Sequence, residues 1–298
     1  MASIKDLRKR IVSTKNTQQT TKAMKMVSAA KLRRAQEAIQ NHRPYARQMN
    51  ELISTLSETV RGEIESPYMK RDRAEGVRAR VVVLLVTSDR GLCGGFNANV
   101  IKAAARWHVA HQSEYADVKL SFLGRKGYEF YRSRKIGLGP YFPDLGGKVS
   151  FEKATTLADA MVKLYLDGEV DEVKVIYNEF KNALTQQVRV DEFLPIQPPA
   201  VEAGAEANTE NTSYIIRPDA KEVLQKLLEK NFAVQTFRIM LESQAGEHGA
   251  RMSSMESATK NAGEMINKLT LQYNKQRQAG ITKELLEIIS GSESQKNK

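Results

Sequence analysis

The stretch Ser88-Asp89-Arg90-Gly91-Leu92-Cys93-Gly94-Gly95-Phe96-Asn97 crowds glycines, a hydroxyl, a carboxylate and a thiol into ten residues. A glycine-rich turn between a buried strand and a helix can cradle phosphate on backbone N–H groups. Here the spacing is neither G-x-G-x-x-G nor a P-loop, and no Lys-Ser/Thr pair follows the last glycine. The expectation is therefore structural: the glycines permit a tight turn near a helix terminus or a partner. Cys93 reads as a small packed residue rather than a nucleophile, because the four histidines are scattered along the chain. As the only cysteine it excludes an internal disulfide and a cysteine-based zinc site, and it suits a reducing compartment.

Other chemistry-bearing residues lead no further. His108 and His111 stand three apart on a predicted helix, but no carboxylate or cysteine completes a metal set. The Gly124-Arg125-Lys126-Gly127 turn reads as solvated rather than anion-binding. Asp171 and Glu172 read as solvated charges before a strand. With no paired acid and base, no triad and no metal set, the sequence favours a mechanical or binding role, with no cofactor, over catalysis.

The elements around these residues are legible. Val81–Val86 is a continuous β-branched and leucine run, which predicts a strand buried on both faces. A helix is predicted from about Asn97 to His111, strands at Val118–Leu123 and Glu172–Tyr177, and a helix at Thr156–Leu166. Gly124 and Gly127 bound a turn before a short helix. Val188–Leu194 suits an edge or hairpin strand, and Gly137–Gly147 reads as a loop. This alternation indicates an α/β domain with an open Rossmann-like sheet.

Both ends of the chain predict long helices. Ser3 and Asp6 form a capping pattern. A heptad stripe follows through Ile4, Leu7, Ile11, Thr14, Gln18, Thr21, Ser28, Leu32, Ala35, Ile39, His42, Ala46, Met49, Ile53, Leu56 and Val60. That helix would run about 85 Å, with Pro44 expected to kink it or to cost one backbone hydrogen bond. From Pro218 to Ile289 no further proline occurs, and a seam runs through Ala220, Leu224, Leu227, Val234, Leu241, Ala245, Met252, Met255, Ala262, Ile266, Leu269 and Tyr273. This second helix would run about 105 Å. Both stripes are narrow, so the two helices are expected to wind together as a long antiparallel coiled coil with the α/β domain beside them. The expected division is 1–61 N-terminal helix, 62–78 connector, 79–194 α/β domain, 195–217 linker, 218–290 C-terminal helix and 291–298 tail. The coil has two unusual features. Its seam is polar from Thr14 to Ser28, and Gly246, Gly249 and Gly263 each weaken the helix by about 1 kcal/mol relative to alanine. Small residues permit another backbone to approach closely.

The net charge is +11, and it is concentrated. Residues 1–34 hold ten basic side chains against Asp6 alone. So one-sided a run points to an acidic partner surface. No apolar run reaches the length of a membrane span, so no direct membrane insertion is expected. No recognised nucleic-acid-binding motif occurs, and a nucleotide enzyme would need the Ser88–Asn97 loop to hold phosphate.

The run TKNTQQTTKAMKMVSAAKLRRAQ from Thr14 resembles the start of the gamma-subunit family of F-type ATP synthases. So do RPYA at Arg43–Ala46, TSDRGLCGGFN at Thr87–Asn97, RMSSMESATKNAGEMI at Arg251–Ile266 and LQYNKQRQAGITKELLEIISG at Leu271–Gly291. The resemblance covers essentially the whole chain. It implies a rotor shaft that performs no bond chemistry itself. The coiled coil would stand inside three α and three β subunits, and the α/β domain near the epsilon subunit and the membrane ring of c subunits. It implies that Met24 and Lys25 face an acidic loop of β, that Arg251 and Gln278 contact the β catch loop, and that Thr282, Glu284 and Glu287 couple rotation to catalysis. Ser292, Glu293 and Ser294 depart from the alanine-rich tail of the family. The plastid type carries a cysteine-bearing regulatory insertion, whereas this chain has only Cys93. With no transit peptide either, a bacterial protein on the cytoplasmic side of the cell membrane is expected.

Overall fold

Ala79–Val86 (β1) is the centre of the sheet because its side chains are apolar on both faces. In the computed structural model, which describes residues 3–60, 66–69, 77–134, 137–143, 148–183, 185–196, 216, 217 and 219–296, β1 lies in a five-stranded sheet. The other strands are Tyr115–Leu123 (β2), Leu138–Phe142 (β3), Glu172–Phe180 (β4) and Gln186–Leu194 (β5). Their order is β3-β2-β1-β4-β5, parallel except for β5, which returns antiparallel on β4 as an edge strand. The helices are Ile4–Thr59 (α1), Phe96–His111 (α2), Arg125–Arg132 (α3), Phe151–Leu166 (α4) and Ala220–Lys296 (α5). Much of the expected connector and linker, with Gly62, Gly76, Gly147 and Pro218, lies outside the described residues.

The chain forms two compact units, and the division falls within the long helices rather than at their ends. Residues 30–250 form the α/β unit. Val81, Val83 and Leu85 face α2 and α3, where they pack with Val100, Ala104, Leu120 and Phe122. Val82, Leu84 and Val86 face the other way, onto Leu157 and Met161 of α4. The same core takes in Met49, Ile53 and Leu56 of α1 and Leu224, Leu228, Phe232 and Met240 of α5.

The expected α/β sheet and long terminal helices are both present, and within the α/β unit those helices also form a layer of the domain. From Asn231 to Arg251 only Arg238 is exposed, whereas a coiled-coil seam would leave most of the circumference open. The residues that permit this are small or flexible: Ala233, Ala245, Gly246, Gly249 and Met240. Pro44 lies inside α1, which continues through it.

Residues 1–29 and 251–298 form the second unit. Here α1 and α5 pair in antiparallel fashion, as their contacts show. Lys25 Nζ lies 2.6 Å from Glu256 Oε1. The Thr21 and Thr259 hydroxyls are 2.8 Å apart. Gln18 donates to the Thr259 carbonyl at 3.4 Å. Leu7, Ser28, Met255 and Ala262 are buried. The Ser3–Asp6 cap forms reciprocally: Asp6 N–H donates to Ser3 Oγ at 3.2 Å and Ser3 N–H to Asp6 Oδ2 at 3.3 Å.

Three expectations need correction. Part of the Gly137–Gly147 loop is a strand, β3, in which Pro140 is tolerated because β3 pairs on one side only. Asp171 and Glu172 are structural. Asp171 Oδ2 accepts from the Arg80 backbone N–H at 2.8 Å, and Glu172 Oε2 accepts from the Tyr115 hydroxyl at 2.8 Å. Burial and that carboxylate push the Tyr115 phenol up to about 12. Finally, α5 runs on to Lys296, through most of the expected tail.

Glu242 is the least comfortable charge in the α/β unit. Its Oε2 is buried without a hydrogen-bond partner. Burial raises its pKa, with Glu179 and Asp191 adding to the effect and Arg238 and Arg43 opposing it. A carboxyl with a raised folded-state pKa favours folding most below its unfolded pKa, and that stability is lost as pH rises through the folded value. Glu242→Gln is therefore expected to raise the unfolding midpoint of the chain at pH 7. The advantage should shrink as pH falls toward 4, as thermal melts across that range will show.

Candidate functional site

The Ser88–Asn97 loop follows β1 at the switch point of the sheet. From β1 the chain moves outward to β2 and β3, then returns to the other side of β1 with β4. Doubly wound sheets bind ligands in the crevice this reversal creates, outside the carboxyl ends of the strands. Here the chain itself fills that place. Asn97 Oδ1 accepts from the Ser88 N–H at 2.9 Å, and Asn97 Nδ2 donates to Ser88 Oγ at 2.8 Å and to Cys93 Sγ at 3.4 Å. Cys93 is buried, as its packed role requires. Leu92 and Gly94 close the turn with positive φ.

The backbone donors at the start of helix α3 are bonded back to this segment. At the start of α3, Arg125 N–H donates to Asp89 Oδ1 at 2.9 Å, Lys126 N–H to the Ser88 carbonyl at 3.1 Å and Gly127 N–H to Thr87 Oγ1 at 2.9 Å. Gly124 is required there: its φ is +94°, and a Cβ would stand 2.0 Å from the Thr87 carbonyl oxygen. The solvated turn expected at Gly124–Gly127 is thus bonded to the Thr87–Asp89 segment. On the β4 side, Asn178 Nδ2 donates to the Phe96 carbonyl at 3.1 Å. One turn of α5 covers the remaining gap. A Cβ on Gly246 would lie 3.2 Å from the Phe96 ring, and one on Gly249 would lie 2.8 Å from the Ala183 carbonyl oxygen.

The histidine pair holds no ligand set. His111 Nδ1 lies 2.9 Å from the Trp107 carbonyl, and its ring stacks on the indole at 4.9 Å. Among the described residues no group of three His, Cys, Asp or Glu could hold a metal. No described helix is long and apolar enough to cross a membrane.

The seven residues singled out from the sequence all fall in the unit formed by 1–29 and 251–298. Met24 is half-buried, and Lys25 is paired with Glu256. Arg251 is buried. Gln278, Thr282, Glu284 and Glu287 are exposed. The Thr282 hydroxyl donates to the Gln278 carbonyl at 3.0 Å, and Glu287 Oε1 lies 3.6 Å from Lys283 Nζ. They do not converge: Arg251 and Gln278 are about 40 Å apart along one helix. The arrangement is a row of contact points rather than a pocket.

Beyond Gly280, where a Cβ would lie 3.7 Å from Ile4 Cδ1, α5 has no cover among the described residues. Ile281, Leu285, Leu286, Ile288 and Ile289 are 50–68% exposed. Sequence reasoning did not single out these aliphatics. The available signal was five large apolar residues within nine positions, lying past the point where the first helix begins.

Such a chain is defined by long paired helices, a doubly wound sheet with its crevice filled, and an uncovered apolar helix end. Residues 3–294 match the ATP synthase family. The chain is similar to the ATP synthase gamma chain of Trichlorobacter lovleyi, at 47% identity over 294 residues covering 99% of each chain. It is also similar to that of Bdellovibrio bacteriovorus, at 45% identity over 299 residues, covering 99% of this chain and 100% of its relative. Among solved structures it shares its fold with a chain of the Euglena gracilis mitochondrial ATP synthase rotor. That likeness has a TM-score of 0.62 at 16% identity and covers 93% of this chain and 98% of the other. It shares it too with a chain of the Tetrahymena thermophila mitochondrial ATP synthase central stalk and c-ring, with a TM-score of 0.58 at 23% identity, covering 80% and 99%. The chain belongs to the ATP synthase gamma-chain family.

A filled crevice has a measurable consequence. Magnesium-ATP at millimolar concentration is expected to leave the thermal midpoint of the isolated chain unchanged, because a ligand stabilises only a fold that has room to bind it. A dose-dependent rise would show that α5 leaves the crevice open.

Proposed function

We propose that this chain is the central rotor shaft of a proton-translocating F-type ATP synthase, peripheral to the cytoplasmic side of a bacterial cell membrane. The observation that carries the reading is the uncovered aliphatic stretch of α5 from Ile281 to Ile289. Such a patch is costly to leave in water and suits an apolar sleeve supplied by other subunits. Family membership makes three α and three β subunits the natural sleeve, with the epsilon subunit and the ring of c subunits at the α/β domain.

The chain then acts by contact rather than bond chemistry. Proton flow turns the ring and the shaft with it, and each β subunit is driven through states of different nucleotide affinity. A shaft can shift those populations only by touching the states differently. Residues 1–29 with 251–298 supply such asymmetry. Basic side chains dominate the first helix, where Met24 and Lys25 would meet an acidic β loop. Arg251 and Gln278 would engage the β catch loop, and Thr282, Glu284 and Glu287 the coupling contacts farther along.

A tagged chain recovered from source-cell membranes is expected to bring α and β subunits and ATPase activity with it. A chain that came down alone, or with nucleic acid, would sink the reading. In the assembled enzyme, Gln278→Ala is expected to lower ATP-driven proton pumping. The isolated chain should keep its stability within about 0.5 kcal/mol, since the side chain is exposed. Arg251→Ala should lower both, because Arg251 is buried.

A further inference from the structure

Within the α/β unit, one turn of α5 is held between two braced jaws. The first is the start of α2. The Phe96 ring is 2% exposed, its carbonyl accepts from Asn178 Nδ2 at 3.1 Å, and its Cε2 would lie 3.2 Å from a Cβ on Gly246. The second is the hairpin between β4 and β5. A Cβ on Gly249 would stand 2.8 Å from the Ala183 carbonyl oxygen and 3.3 Å from its Cα, so two backbones meet there with no side chain between them. That carbonyl also accepts from Gln186 Nε2 at 3.4 Å, and Thr185 N–H donates to Asn182 Oδ1 at 2.8 Å. At the hairpin base, Glu179 binds Lys181 at 2.9 Å and Arg189 at 2.8 Å. Gly249 stands one residue before the α/β unit ends at Ala250, and α5 continues past it.

We infer that Gly246 and Gly249 form a collar through which the α/β domain grips α5 against twisting, which makes them positioning residues for rotary coupling. This rests on the rotor reading. Torque entering at the α/β domain has to reach α5 through packed atoms. Long side chains turn about their own bonds and absorb part of an imposed twist, whereas backbone against backbone has no such freedom. Two glycines that weaken a helix, placed where the braced Phe96 ring closes on one and the Ala183 backbone on the other, exchange helix propensity for stiffness.

The test uses the complete reconstituted enzyme carrying Gly249→Ala, Gly246→Ala or, as a control in the same unit, Leu157→Ala. Leu157 is buried on α4, and neither jaw of the collar includes it. Three quantities are read: the ATPase rate, the protons pumped per ATP, and the angular fluctuation of a probe on the α/β domain while the enzyme is stalled. Gly249→Ala is expected to widen the fluctuation and lower the protons pumped per ATP while hydrolysis continues. Gly246→Ala should do the same to a smaller extent, since the Gln186 chain and the Phe96 ring can shift. Leu157→Ala should lower the thermal midpoint and leave both coupling readouts alone. If Gly249→Ala does not assemble, Gly246→Ala carries the test. Unchanged fluctuation and pumping in the assembled glycine variant would overturn the collar. So would a matching change in Leu157→Ala at equal loss of thermal midpoint. Failure of the unsubstituted chain to assemble with α and β would instead overturn the rotor reading.

Discussion

A helix of 77 residues must bury a face along its length or fray, and α5 meets that constraint in three different ways. Between Asn231 and Gly249 it is enclosed, with sheet residues, α1, α4 and the β4–β5 hairpin taking parts of its circumference. From Arg251 to Gly280 it keeps a single seam against the start of α1. From Ile281 onward nothing described in the chain covers it. Much of the rest follows from that order. α5 contributes Leu224, Phe232 and Met240 to the core of the α/β domain. The charge on α1 lies where the seam leaves most of both helices free to meet other surfaces.

The crevice shows how one topology can set different partners against its glycines. The switch point is present, and so is a glycine-rich turn after the central strand. In a dinucleotide-binding sheet those glycines let a pyrophosphate approach the backbone. Here Gly124 and Gly127 let Thr87 approach, while Gly246 and Gly249 let Phe96 and the hairpin approach. Close approach is the shared physics, and the partner differs. Spacing alone argues against the nucleotide motif, but it gives no sign of which residues meet these glycines. Gly249 and Ala183 are far apart in sequence, and no local pattern links them.

That limit explains most of what was legible and what was not. The heptad positions from Leu7 to Val60 face inward, and the β1 run is buried on both faces, because periodicity is a local record of burial. The capping box at Ser3 and Asp6 is local in the same sense. β3 escaped because Gly139 and Pro140 punctuate it and an edge strand needs only one neighbour. The roles of Asp171 and Glu172 escaped because Arg80 and Tyr115, which bind them, lie elsewhere in the chain. The enclosure of α5 between Asn231 and Arg251 escaped because small residues read as a weak stripe rather than as a second buried face. The candidate contact residues came from motif resemblance, and they lie spread along α1 and α5 rather than at one place.

The polar seam supplies the last step. Between Leu7 and Ser28 the side chains of α1 that face α5 include Thr14, Gln18 and Thr21. A hydrogen bond across a seam contributes about 1 kcal/mol net, whereas burying one Leu or Ile side chain contributes about 2 kcal/mol. Such a seam is weaker than an aliphatic one. What it gains is register. Thr21 meets Thr259, Gln18 reaches the Thr259 carbonyl and Lys25 meets Glu256 in one alignment. A slip by one heptad would leave each of these groups facing an apolar or mismatched neighbour, and the half-buried Thr21 and Gln18 would lose bonds that contribute about 1 kcal/mol each. An aliphatic seam tolerates such a slip at far lower cost, because one apolar layer resembles the next. Register is what these polar contacts fix, and depth of burial is what they give up.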